Sequence, residues 1–350
     1  MGRPASARRS LNTVAVDTCR VCGSRGGDTF AAGWRDLRRS AAWPTRRPVR
    51  VVAILVLALA ALRTPAAAPG GVDLAELWVE PDAGRDLFYG VGGPALAPDP
   101  LEQFLVIGTK RGGFSDGYTV RDRGGREWSA KLYPEARTEV VASRILWAVG
   151  YHQPPAYTLE RWTAEGASGP NPQPVARFRE DRPDLHGLEA EDPWAYDDNP
   201  FVGTRPLAGL LVLQVMLGNS DLKPDQNRVY KLDRPHEGAR RWYVARDLGH
   251  TFGRTGVMDA PRDDVDVFEQ TPFIVGVEHG VVRFDYRGLR RTLFAKITVA
   301  DVQWICRRLE AITDQQWLDA FRAGGYAQPT AERYIRRLHQ KIAEGLAAGS

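Results

Sequence analysis

Four short polar motifs, each set at the end of an apolar or alternating segment and in a fixed order, constrain this chain most. Lys131 lies in Trp128-Ser129-Ala130-Lys131-Leu132, an alternating, strand-like run. Glu139 follows inside a stretch whose apolar residues Val140, Val141, Ile145, Leu146 and Val149 recur at helical spacing and which Gly150 ends. Asp221-Leu222-Lys223-Pro224-Asp225-Gln226-Asn227 comes directly after an apolar helix expected over 206–217. Asp247-Leu248-Gly249 closes a hairpin expected over 228–232 and 241–245. Strands are expected mainly early in the chain and helices mainly late.

Taken together the motifs resemble those of the protein-kinase-like superfamily. They are more similar to its atypical bacterial members, the HipA-like kinases and their lipid-kinase relatives, than to ordinary eukaryotic protein kinases. The resemblance covers about residues 104–250 by motif. It implies a two-lobed fold with a small β-rich N-lobe and a larger helical C-lobe. It also implies ATP and Mg2+ as cofactors and phosphoryl transfer to a hydroxyl acceptor whose identity the motifs leave open. A pseudokinase or nucleotide-binding interaction module, and a nucleotidyl (AMP) transferase on the same fold, are the alternatives.

On this resemblance Lys131 bridges the α- and β-phosphates of ATP and Glu139 orients it, with Glu135 as a rival one turn earlier. The loop 111–117 joins two strands. Its Gly112, Gly113 and Gly117 let backbone N–H groups approach phosphates, and Ser115 adds a hydroxyl. Asp221 orients the acceptor hydroxyl and takes its proton, and Lys223 neutralises charge on the transferred group. Asn227 and Asp247 hold magnesium through hard oxygen ligands. Two departures stand out. Kinase loops usually place the Asn five residues after the Asp, and here it is six, through Gln226. The Arg that usually precedes the Asp is replaced by Ser220, which removes the usual partner of an activation-loop phosphate. His250 reads as a packed histidine.

The organisation expected is a leader over 1–70, an N-lobe over 71–165 and a C-lobe over 166–350. The Gly/Ser/Pro/Asn-rich residues 163–172 would carry the crossing between lobes. Strands are expected at 104–108, 118–122, 127–133 and 156–162, and closing helices at 298–312, 314–323 and 330–346. Residues 250–290 read as loop-rich.

Charge divides the chain unevenly. Residues 1–63 hold twelve Arg and three Asp, a net +9, which leaves 35 basic and 40 acidic residues for the rest, a net −5. The mildly acidic remainder gives no basic surface for nucleic acid. Arg46, Arg47 and Arg50 precede an apolar core over 51–62, followed by Ala66-Ala67-Ala68, in the manner of a secretory signal or anchor. Export, with possible membrane contact through 51–62, is the expectation if that segment acts as a signal; otherwise the chain is cytoplasmic. Cys19 and Cys22 form a lone Cys-x-x-Cys with no second pair beside it.

Overall fold

The computed structural model describes residues 71–112, 114–180, 185–257 and 259–350. The leader, its 51–62 core and the Cys19/Cys22 pair lie outside the described residues.

The first part of the chain builds a sheet. Strand β1 (Gln103–Lys110) turns into β2 (Gly117–Arg121), and a tight turn at Gly124 and Gly125 leads to β3 (Glu127–Leu132). Helix α1 (Ala136–Ala148) follows, then β4 (Tyr157–Leu159), β5 (Thr163–Glu165) and β6 (Ala176–Glu180). The six strands lie in the order β4-β6-β3-β2-β1-β5, with only β5 parallel to its neighbour β1. Alternation fixes what each face does. Trp128, Ala130 and Phe178 point into a small-lobe core with Phe104, Val120 and Trp162. Burying Phe178 completely contributes about 2–3 kcal/mol. The opposite face carries Ser129, Lys131, Arg177 and Arg179, and register sets Lys131 beside Arg177 and opposite Gly117.

The boundary expected at 165 moves to 180. Residues 163–172 do not cross to the second lobe, because β6 returns to pair with β3 and β4. The physical reason is that the arginines of β6 find a carboxylate partner on α1, so a segment that reads as polar is buried.

The second lobe begins with β7 (Glu189–Ala190) and α2 (Arg205–Met216), which Thr204 caps at its N-terminus. The hairpin β8 (Arg228–His236) and β9 (Ala239–Val244) takes β7 as a third strand. Then come α3 (Val265–Gln270), the hairpin β10 (Ile274–Glu278) and β11 (Val281–Phe284), α4 (Val299–Glu310), α5 (Asp314–Ala323) and α6 (Gln328–Leu346). The apolar α2 is buried against α4, Lys341 of α6 donates to its Met216 carbonyl at 2.9 Å, and Cys306 is a buried core residue. The two lobes form an α+β architecture, all of it within one compact unit. Among the described residues no helix is long and apolar enough to cross a membrane.

Candidate active site

Four segments bring charged side chains to one point between the lobes. Lys131, on the inner face of β3, reaches Asp247 at 2.6 Å, Glu139 at 3.0 Å and Glu135 at 3.2 Å. Both candidate glutamates therefore touch the lysine. Glu135 stands at the cap of α1 and Glu139 one turn on, so one helix end presents both. Burial works against the charge of Lys131, but Glu139, Asp247 and Glu135 outweigh it and hold the ammonium well above its ordinary pKa.

Glu139 is more than a partner for Lys131. It is buried, and Arg177 (3.2 Å) and Arg179 (3.1 Å) also bind its carboxylate. Burial would raise its pKa, yet Arg177, Lys131 and Arg179 together hold it far below the carboxylate range. Sequence patterning gave no sign of Arg177 and Arg179.

Asp247 has φ 55°, a left-handed conformation that costs a non-glycine residue free energy and turns the chain sharply off β9. The turn is pinned to α1. Thr138 Oγ1 donates to the Gly249 carbonyl at 2.8 Å, and a Cβ at Gly249 would meet Glu135 Cβ at 2.5 Å. Gly249 is thus required for close approach of the turn to the helix that carries both glutamates.

Asp221 follows α2. Its carboxylate accepts from Lys223 Nζ (3.0 Å) and from Gln226 Nε2 (2.7 Å). The same Gln226 Nε2 reaches Asp247 Oδ2 at 3.1 Å, so one amide spans the two aspartates. Asn227, expected as a metal ligand, makes no hydrogen bond to Asp221 or Asp247 among the described residues. It is buried, and its Nδ2 donates to the Trp194 carbonyl at 3.2 Å. The residue at the site is Gln226, and its position five after Asp221 was the signal for it.

The loop before β2 meets the cluster indirectly. Phe114 stacks on Arg262, the guanidinium 3.4 Å from the ring centroid, and Arg262 binds Glu135 at 2.5 Å. Ser115 Oγ is buried without a hydrogen-bond partner among the described residues. Gly112 has φ 114° and open space around it. Gly113 lies outside the described residues. Gly117 is needed for sheet pairing, since a Cβ there would meet the Ala130 carbonyl at 2.6 Å. His250 is a packed histidine, and burial lowers its pKa to about 4.

No protein-family model matches the chain, and no curated protein matches it. Among solved structures it is similar to the Helicobacter pylori proinflammatory kinase CtkA, at 13% identity and a TM-score of 0.41, over 70% of this chain and 92% of that one.

Proposed function

We propose that the chain is an ATP- and magnesium-dependent phosphotransferase acting on a hydroxyl, of the atypical bacterial type that HipA-like and lipid-kinase-like enzymes represent. The observation that carries this is Gln226, whose amide joins Asp221 to Asp247 while Asp247 is bound to Lys131. A base, a metal-binding carboxylate and a phosphate-binding lysine from three separate segments are then held within one chain of contacts.

The site fits magnesium by its donor set. Among the described residues no group of three or more His, Cys, Asp or Glu is placed to hold a metal. Asp247, Asp221 and Gln226 nonetheless offer hard oxygens, and Gln226 Oε1 is buried without a hydrogen-bond partner. Bound there, magnesium would neutralise charge on the nucleotide phosphates. Lys131, kept charged by Glu139, binds phosphate oxygens. Asp221, fixed by Gln226, accepts the acceptor's proton, and exposed Lys223 stands beside it to meet charge on the transferred group. Ser115 supplies a hydroxyl that lacks a partner among the described residues.

A nucleotide-binding module without turnover is the second reading, favoured by the direct Lys131–Asp247 pair, which occupies both groups with each other. One experiment separates the two. Mg·ATP raises the Tm of the full chain, and the shift shrinks in Asp247→Ala. Asp221→Asn keeps the shift and loses roughly 10²-fold in phosphate transfer. Absence of any shift in folded protein removes both readings, and a shift without turnover leaves the second.

A further inference from the structure

A cavity of about 670 Å3 opens beside the Asp221 loop and is not used by the chemistry above. That volume is in the range of small-molecule and side-chain sites. Pro224 forms part of its wall. Pro224 lies three residues after Asp221, a backbone span of at most about 11 Å, so one wall of the cavity stands near the candidate base.

The walls have a definite chemistry. Trp194 and Tyr243 supply aromatic surface, and Asp192 and Asp198 supply exposed carboxylates that make no ion pair among the described residues. The cation in the wall, Arg241, is bound to Glu191 at 3.2 Å. The cavity therefore offers uncompensated negative charge beside the partly exposed ring of Tyr243, a setting in which proteins hold ammonium and guanidinium groups.

The cavity is also fastened to the catalytic loop. Asn227 Nδ2 donates to the Trp194 carbonyl, Val229 N–H to the Asp192 carbonyl at 3.1 Å, and Glu191 N–H to the Val229 carbonyl at 2.8 Å. Asn227 and Val229 adjoin the loop that carries Asp221 and Gln226. A group seated in the cavity is thereby held at a fixed distance from the base.

We infer that this cavity anchors the acceptor, and that the acceptor is an alcohol carrying an ammonium or guanidinium group. The inference rests on the phosphotransferase reading for its role and on the cavity alone for its binding. A basic peptide and an amino sugar share this chemistry.

Binding to the full chain distinguishes them. The probes are a fluorescent octapeptide with one serine flanked by two arginines, the same peptide with citrulline for arginine, glucosamine, and N-acetylglucosamine. At least one charged probe binds on the order of ten-fold more tightly than its neutral counterpart, and added salt weakens it. The double variant Asp192→Asn/Asp198→Asn loses that preference while the Mg·ATP shift in Tm stays as in wild type. Preference for the peptide or for the sugar identifies the source. Charged and neutral probes bound alike, or a double variant that keeps the preference, overturns the inference. Loss of the Mg·ATP shift in wild type instead overturns the phosphotransferase reading, whatever the probes do.

Discussion

Two neighbouring amides, Gln226 and Asn227, carry opposite jobs, and each can be tested by truncation. Gln226 is half-buried and holds both aspartates, whereas Asn227 is buried and holds the Trp194 backbone. Gln226→Ala is expected to weaken magnesium dependence and transfer rate with little change in Tm. Asn227→Ala leaves the Trp194 carbonyl unpaired in a buried place, which costs about 1–3 kcal/mol. Its loss appears in urea unfolding before it appears in magnesium titration. The reverse order would return the metal role to Asn227. Sequence alone pointed to Asn227 because residue type favoured it. Spacing favoured Gln226, and only the direction in which each side chain leaves the backbone decides between them. The convergence of Lys131, Asp221 and Asp247 was legible because each sits at a recognisable element end. Arg177 and Arg179 were not, since an arginine buried by a carboxylate from another element looks in sequence like one facing water.

At the scale of elements, the segment after the Asp247 turn is held by hydrogen bonds rather than by a charge pair at Ser220. Ser220 Oγ donates to the Gly256 carbonyl at 2.7 Å and accepts from the Gly256 N–H at 3.0 Å. Tyr286 Oη donates to the Ser220 carbonyl at 3.3 Å, tying the next loop to the same place. Ser220 fixes the segment through these two bonds to Gly256. Ser220→Ala is expected to expose residues 250–264 to limited proteolysis and to cost about 1 kcal/mol, because two half-buried backbone groups of Gly256 lose their partner. Unchanged cleavage in that segment would show that Arg262 and Glu135 hold it by themselves. Long periodic elements such as α1, α2 and α6 were readable from apolar spacing. The six-residue α3 and the β10–β11 hairpin fall inside 250–290, where Gly, Pro and Asp hide short elements, so that region read as loop. The same limit hid β6, whose alternation shows a single large apolar residue, Phe178.

For the whole molecule, a buried histidine ties the start of the described chain to the second lobe and makes stability depend on pH. His152 Nε2 donates to the Ala75 carbonyl at 2.7 Å, and its ring stacks on Trp242 with centroids 4.8 Å apart. Burial lowers its pKa from 6.5 to about 4; the Ala75 carbonyl opposes this, and Arg85 and His236 add to it. The folded state therefore keeps the ring neutral where the unfolded chain takes up a proton. A depressed value of this kind gives stability that is complete above pH 6.5 and is lost as pH falls toward 4. A shift of this size corresponds to about 3 kcal/mol. His152→Gln has no such proton to exclude. The stability of the wild type over His152→Gln, measured by urea unfolding, is expected to be largest at pH 7.5 and to narrow by about 2 kcal/mol at pH 5. Carboxylates that titrate in the same range act on both proteins alike, so the difference isolates the histidine. A difference that stays constant across that range would mean that His152 takes its proton as readily in the fold as in water, and that the stack on Trp242 does not exclude the charge.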